Sequence, residues 1–360
     1  MKKLIIKGMG IRYFSDKLVK WYVDNKRSLP WRETTDPYKI WLSEVILQQT
    51  RVNQGLPYYQ VFLRTYPSII ELARAPEQEV LRLWQGLGYY TRARNLHKCA
   101  KSVVESHNGK FPGTFDELEK LPGIGHYTAA AIASFAFGQP VAVLDGNVFR
   151  ILSRIFGIDT PINSKEGKKR FSGLAHELIS KKDPALHNQA VMEFGALFCT
   201  PKNPKCPDCP FNTTCIAYNH DLIHILPVKT PGKKSRKRYF FYLVVEKNKS
   251  LLMKKRQEKD IWHGLFDFVL IEKNKPVKPE NLMSENENKK WFQKAEGIKV
   301  SKNYKHILTH QTIHCRFIYL KAAPSFSLLE EGHAFYSPGE VAKLPKPALI
   351  SRFLDEQNTH

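Results

Sequence analysis

The stretch Leu121–Val148, LPGIGHYTAAAIASFAFGQPVAVLDGNV, restricts the fold more than any other part of the chain. Asp116 to Leu121 suits a short helix, but Pro122-Gly123-Ile124-Gly125 cannot continue it, because proline lacks an N–H and glycine favours turns. Thr128 to Phe137 is apolar and alanine-rich, and reads as a buried second helix. The pattern is helix, tight glycine hairpin, helix. Gly123 and Gly125 permit positive φ and close approach of another backbone, so the free N–H groups and positive end of the second helix can face a phosphate. Gly138 and Pro140 stop that helix, and Val141 to Leu144 lead into Asp145-Gly146-Asn147. An acid just past an apolar segment, beside a phosphate-holding turn, suggests chemistry on DNA. The plainer alternative is a helical hairpin of any α domain followed by an Asp-Gly turn.

A polyanionic partner also follows from charge. The chain carries 56 Lys and Arg against 34 Asp and Glu, a net +22 with a pI near 9.6. Such a surface gains affinity for nucleic acid by releasing counterions, although a ribosomal or membrane-surface protein would share it. At 360 residues the length suits about two domains, and 42% hydrophobic residues suffice for buried cores. Leu4-Ile5-Ile6 is too short for a signal-peptide core and no later run approaches a membrane span, so a cytoplasmic protein without a membrane partner is expected.

Helical spacing marks Phe14–Asn25, a helix entered at Pro37 and running through Gln49, then Tyr58–Thr65, Ile69–Ala73, Glu77–Trp84, Thr91–His107 and Gly167–Ile179. No strand alternation precedes residue 238, so the first two thirds are read as all-α. PVKTPGKKSRKR, residues 227–238, is a basic linker by composition. Beyond it, Arg238–Glu246 and Leu251–Arg256 flank the turn Lys247-Asn248-Lys249-Ser250 and read as a β-hairpin that opens an α+β domain.

On the helix after Pro37, Glu44 shares a face with Ile40 and Leu47 and so points where apolar side chains belong. Burial there raises a carboxyl pKa and leaves an acid able to donate a proton near neutrality. The alternative is a glutamate that turns to pair with Arg32 or Arg51. A second acid, Asp145, makes two carboxyls, the set that glycosidic bond cleavage through an oxocarbenium-like sugar requires.

Cys199, Cys206, Cys209 and Cys215 supply four thiolates within 17 residues, bent by Pro201, Pro204, Pro207 and Pro210. In a reducing compartment this is a metal loop, and four soft sulfurs fit tetrahedral zinc or an iron–sulfur cluster alike. Cys99 and Cys315 read as ordinary buried thiols.

LPGIGHYTAAAI followed by LDGNV resembles the helix-hairpin-helix DNA glycosylase superfamily. Trp41-Leu42-Ser43-Glu44-Val45, Leu47-Gln48-Gln49-Thr50 and the cysteine spacing narrow the resemblance to the MutY-type adenine DNA glycosylases, strongest from Leu29 to Cys215. It implies a multi-domain protein: an all-α helix-hairpin-helix glycosylase core with a [4Fe-4S] loop (1–226), the linker (227–238), and an α+β Nudix-like lesion-recognition domain (239–360). The implied activity is monofunctional removal, in base excision repair, of adenine mispaired with 8-oxoguanine or guanine in double-stranded DNA, by a monomer. The same resemblance gives Glu44 the proton donation to adenine and Asp145 the stabilisation of the sugar cation, whether by a covalent bond or by screening. Tyr127 stands where endonuclease III-like bifunctional enzymes carry a Schiff-base lysine; a phenol cannot form that adduct, so an efficient lyase step is not expected.

Arg27, Leu29, Trp31, Gln189 and Asn147 match the adenine pocket. Gln48, Gln49, Thr50, Leu87, Tyr89, Gly123 and Gly125 match DNA-binding positions. Cys199, Cys206, Cys209 and Cys215 match the [4Fe-4S] ligands. Ile261–Phe268 resembles the Nudix-like G-x-W-x-G-L-W-E-F pattern with departures, and an acidic Nudix box is absent, so nucleotide hydrolysis is not expected. Leu308-Thr309-His310 falls at the family's Phe-Ser-His lesion-reading loop; Thr309 keeps the hydroxyl and Leu308 replaces the aromatic, with Thr309 and His310 as DNA contacts. Two other readings stand beside this one. An endonuclease III-like pyrimidine glycosylase and lyase conflicts with Tyr127, and a DNA-binding protein without catalysis conflicts with the retained pair Glu44 and Asp145.

Overall fold

A computed structural model describes residues 11–232, 235–293, 295–323, 326 and 332–358. The apolar run Leu4–Ile6 and the linker residues Lys233 and Lys234 lie outside them. The described chain up to residue 232 is helical, with α1 (Ile11–Asn25), a 3-10 turn at Pro30–Arg32, α2 (Pro37–Leu47), α3 (Val52–Thr65), α4 (Ile69–Arg74), α5 (Glu77–Leu83) and α6 (Thr91–His107). There follow α7 (Phe115–Leu118), α8 (His126–Phe137), α9 (Gly146–Phe156), α10 (Lys165–Leu178), α11 (Pro184–Leu197) and α12 (Ile216–Asn219). α9 and α11 were not foreseen from spacing, and both start on an aspartate cap. Asp145 accepts from Asn147 N and Val148 N at the head of α9, and Asp183 accepts from Leu186 N with Pro184 in the first turn of α11. α2 stops at Leu47, short of the expected Gln49, because Gln48 turns out of the helix at ψ 113° and Gln49 follows with a left-handed φ of 57°.

The chain divides into two compact units, Met1–Arg74 with Asn95–Pro231, and Ala75–Arg94 with Gly232–His360. The core of the first unit gathers Phe14, Leu18 and Tyr22 of α1, Val148, Ile151, Leu152 and Ile155 of α9, and Ala190, Val191 and Phe194 of α11. Each large side chain so buried contributes about 1.5–3 kcal/mol of transfer free energy. α2 packs on α8, and both are buried nearly all round.

The division differs from the expected boundary at residue 226, since Ala75–Arg94 groups with the C-terminal segment. Gln85 explains this in part: its side chain donates to Ser351 Oγ at 3.0 Å and accepts from Lys346 N at 3.2 Å, while Tyr90 Oη donates to Lys346 O at 3.1 Å. The basic linker is also shorter than its composition suggests. Ile162 N donates to Val228 O and Thr230 N to Asn163 within the first unit, and Arg236–Arg238 already belong to a strand.

That strand is β1 (Arg236–Lys247), followed by β2 (Ser250–Lys255), β3 (Phe266–Asp267), β4 (Val269–Lys273), α13 (Pro279–Ser284), α14 (Asn286–Phe292) and β5 (Ala295–Val300). β6 (Tyr304–Ile307), β7 (Gln311–Ala322), β8 (His333–Tyr336), α15 (Pro338–Lys343) and α16 (Ala348–Asn358) complete it. The sheet runs β3-β2-β1-β7-β5, with β4 on β1, β6 on β7 and β8 on β2. β1 and β7 pair in parallel from Arg236↔Gln311 to Glu246↔Lys321. The expected hairpin is present: β1 and β2 pair at Lys247↔Ser250, and Asn248 (φ 52°) and Lys249 (φ 64°) form its two-residue turn.

Inside this sheet Asp267 is fully buried and accepts from Arg256 Nη1 at 2.7 Å and Tyr242 Oη at 3.1 Å. Removing one partner strands a buried charge. Asp267→Ala should therefore lower unfolding free energy by roughly 3–5 kcal/mol in urea titration of the intact protein, and Arg256→Met combined with Asp267→Leu should recover most of it. A loss below about 1 kcal/mol for Asp267→Ala would contradict the assignment.

Candidate active site

Glu44 and Asp145 reach one place by different routes. α2 carries Glu44 into the interior, where the residue is buried. Asp145 arrives as the cap of α9: its Oδ1 accepts from Asn147 N at 2.9 Å and Val148 N at 2.7 Å, and its Oδ2 from Asn147 Nδ2 at 2.7 Å. Tyr127, in the first turn of α8, donates its hydroxyl to Glu44. All three line a cavity of about 890 Å³, ample for a purine nucleoside.

Electrostatics distinguish the two acids. Burial pushes the Glu44 carboxyl up to about 7, against the opposing hydrogen bond from Tyr127, with Asp145 adding to the rise and Arg32 lowering it. Burial also raises Asp145, but the N–H donors of Val148 and Asn147, and the nearby Arg150, favour its carboxylate. Tyr127 stays a neutral phenol, its pKa lifted well above 10 by burial and by the two acids. One carboxyl is poised to give up a proton near neutrality. The other is tied in place by the three donors at the head of α9.

Arg27, Leu29, Trp31, Gln48, Gln49, Thr50, Asn147 and Gln189 line the same cavity. Gln48 Nε2 reaches Thr128 Oγ1 at 3.3 Å, and Gln189 Oε1 accepts from Tyr22 Oη at 2.8 Å. The alternative pairing of Glu44 with Arg32 is not what forms. Arg32 donates to Glu193 at 2.7 Å, and Arg27 donates to the same carboxylate at 2.6 Å. Glu193 was not singled out from sequence, although an acid within the apolar run AVMEFGAL is the same signal that marks Glu44.

In the hairpin before α8, Gly123 has φ 76°, and a Cβ there would lie 2.5 Å from Asn95 Cβ, so glycine is required. Gly125 corrects the expectation: it caps α8 at φ −94°, a conformation open to any residue, and what it provides is free space at the helix start.

The four loop cysteines are free thiols lining one small cavity of about 20 Å³. Among the described residues no group of three or more His, Cys, Asp or Glu is arranged to hold a single metal ion. The donor set still suits a sulfur-ligated group, since Phe211 N–H donates to Cys209 Sγ at 3.4 Å and Arg154 to Cys199 Sγ at 3.6 Å. Arg154 also donates to the carbonyls of Thr200, Pro201, Ile223 and Leu226. Arg150 bonds Cys199 O at 2.8 Å and Asn147 Oδ1 at 2.8 Å.

In the second unit Tyr89 sits at φ 48° directly after Gly88 (φ 72°), in a turn that also holds Gly86 (φ 101°). Tyr89 is exposed and Leu87 is buried, so of the two only Tyr89 offers its side chain freely. Its hydroxyl hydrogen-bonds Thr309. Leu308–His310 is the tip of the β6–β7 hairpin, closed by Leu308 N to Gln311 O at 2.8 Å, with Thr309 and His310 exposed.

Fold and cavity together define a class, the helix-hairpin-helix enzymes that cut a base from its sugar. A family model described as HhH-GPD superfamily base excision DNA repair protein matches residues 42–176, and a NUDIX domain model matches residues 240–356. The structure resembles that of a thermostable thymine-DNA glycosylase, with a TM-score of 0.55 at 29% identity over 58% of this chain and 97% of that one. An endonuclease III–DNA covalent intermediate shares the fold, with a TM-score of 0.52 at 24% identity over 59% and 97% of the two chains. Sequence relatives are more specific. An adenine DNA glycosylase of Buchnera aphidicola subsp. Baizongia pistaciae is 37% identical over 85% of this chain and 86% of its own length, and the human adenine DNA glycosylase is 43% identical over 57% and 39%. The chain belongs to the adenine DNA glycosylases, enzymes of base excision repair.

The raised Glu44 carboxyl binds a proton more tightly folded than unfolded. Its contribution to stability is full below about 4.5 and lost as pH rises through about 7. Glu44→Gln should therefore raise the unfolding free energy at pH 8 by roughly 3 kcal/mol and change it little at pH 4. Thermal melts at the two pH values check this; an equal effect at both would contradict it.

Proposed function

We propose that the chain hydrolyses the N-glycosidic bond of adenine opposite 8-oxoguanine or guanine in duplex DNA, and leaves the strand uncut. The observation that carries this reading is the meeting of Glu44 and Asp145 in one cavity, the first protonated near neutral pH and the second fixed as a helix cap. Departure of adenine leaves positive charge on the sugar. Glu44 gives its proton to a ring nitrogen of the base, so that the leaving group departs neutral, and Asp145 faces the oxocarbenium-like sugar. Water then completes the hydrolysis. Tyr127 keeps Glu44 oriented through its hydrogen bond and, lacking an amine, gives no Schiff base with the sugar.

Several features support the rest of the reading. The net charge of +22 suits duplex DNA. Gly123 and the open start at Gly125 suit a phosphate. Gln48, Gln49 and Thr50, which line the cavity, and the exposed Tyr89 are side chains of the kind that fill the gap left by an extruded adenine. The exposed tip Thr309–His310 is available to contact the oxidised guanine. Cys199, Cys206, Cys209 and Cys215 would hold a [4Fe-4S] cluster, which when bound ties four points of the loop together and adds its binding free energy to the fold.

On a duplex with adenine opposite 8-oxoguanine, Glu44→Gln should bind within about threefold of the parent and excise at least about a thousandfold more slowly, within the range for loss of a general acid. Retained turnover would remove Glu44 from the role. Product strands should break only after alkali or heat. Purified protein should contain iron and acid-labile sulfide, and Cys209→Ser should lose both together with thermal stability; a colourless, fully loaded zinc form would overturn the cluster assignment.

A further inference from the structure

Glu193 lines the cavity from α11, one turn after Gln189, with its side chain completely out of solvent. Both of its oxygens are saturated. Oε1 accepts from Arg27 N at 3.0 Å and Arg27 Nε at 2.8 Å, and Oε2 accepts from Arg27 Nη2 at 2.6 Å and Arg32 Nη2 at 2.7 Å. Burial works against this carboxylate, yet the hydrogen bonds from Arg27 and Arg32 hold it down at about 2. It is therefore charged at every working pH and takes no part in proton transfer. Its partners do touch the pocket. Arg32 lies 5.8 Å over the Tyr22 ring, and Tyr22 in turn holds Gln189.

A guanidinium cannot shed its charge. Without an acid between them, Arg27 and Arg32 would bring two uncompensated cations to a cavity whose working group must stay protonated. The charged and titratable groups facing Glu44 are Tyr127 from α8, Asp145 from the cap of α9 and Arg32 from the 3-10 turn. Arg27, Arg51 and Glu193 line the same cavity. Arg32 already favours the ionised form of Glu44, and loss of its counter-charge would strengthen that pull.

We propose that Glu193 is a positioning residue: its buried carboxylate fixes Arg27 and Arg32 as one wall of the purine pocket and withholds their charge from Glu44. The inference rests on Glu44 being the acid. It adds a group that sets the pH range of excision without touching the reacting atoms.

The test is single-turnover adenine excision by the full chain across pH 5 to 9. In Glu193→Gln the limb that falls with rising pH should move down by about one unit, so that the rate at pH 8 drops about tenfold and approaches the parent at the acid end. Duplex affinity should stay within about threefold. Adding Arg32→Gln should return the limb to the parent position or above, whatever the absolute rate, and this neutral double variant serves if Glu193→Gln alone does not fold. A folded Glu193→Gln whose limb is unmoved, or a double variant whose limb lies below the parent's, overturns the inference. Glu44→Gln separates the two readings: if it retains turnover the acid assignment itself has failed, whereas an inactive Glu44→Gln beside an unmoved limb sinks only the role of Glu193.

Discussion

Keeping the Glu44 carboxyl away from water is the constraint on which the rest of the active site depends. A carboxyl so placed resists ionisation, and the surrounding helices are arranged to maintain that condition while sparing its function. α2 is buried on almost every side, α8 packs against it, and Tyr127 supplies a hydrogen bond without supplying charge. Free energy lost at this position is offset by the apolar burial of the neighbours, Ile40, Trp41, Leu42 and Ile46, each almost free of solvent. The group is expensive as structure, and the proposed chemistry uses what that burial does to its proton.

Around it, charges are assigned to fixed partners. Asp145 accepts from the first N–H groups of α9, which fixes its position and opposes the rise that burial imposes on its pKa. Glu193 takes both arginines of the Arg27–Arg32 segment. Further along α9, Arg150 bonds both Asn147 and the carbonyl of Cys199, and Arg154 gathers four carbonyls of the segments flanking the cysteines. A single helix therefore begins at Asp145, on the cavity wall, and ends holding the cysteine loop. Shortening or tilting α9 would disturb both places at once.

Much of this was legible in the chain because the signals were local. Gly123 and Pro122 end one helix and start another within a few residues, the cysteines lie within one loop, and Glu44 breaks an apolar run. Asp145 was legible as an acid but not as a helix cap, since Asp-Gly is also a frequent turn pair and Gly146 is a poor helix former. Glu193 escaped notice because its meaning depends on Arg27 and Arg32, more than 160 positions away. The same holds for Ala75–Arg94, whose membership of the second unit rests on pairings such as Gln85 with Ser351, 266 residues apart. Local propensity carries no record of such contacts.

The account is tested most directly by titrating Glu44 itself. Carboxyl resonances of isotope-labelled glutamate, compared between the parent chain and Glu44→Gln, would identify the one signal lost in the variant and follow its protonation with pH. A midpoint near 7 for that signal is what burial beside Tyr127 and Asp145 requires. A midpoint near 4.5, the ordinary value, would mean that the carboxyl is solvated and ionised when the enzyme works, and the proposed proton donor would not exist.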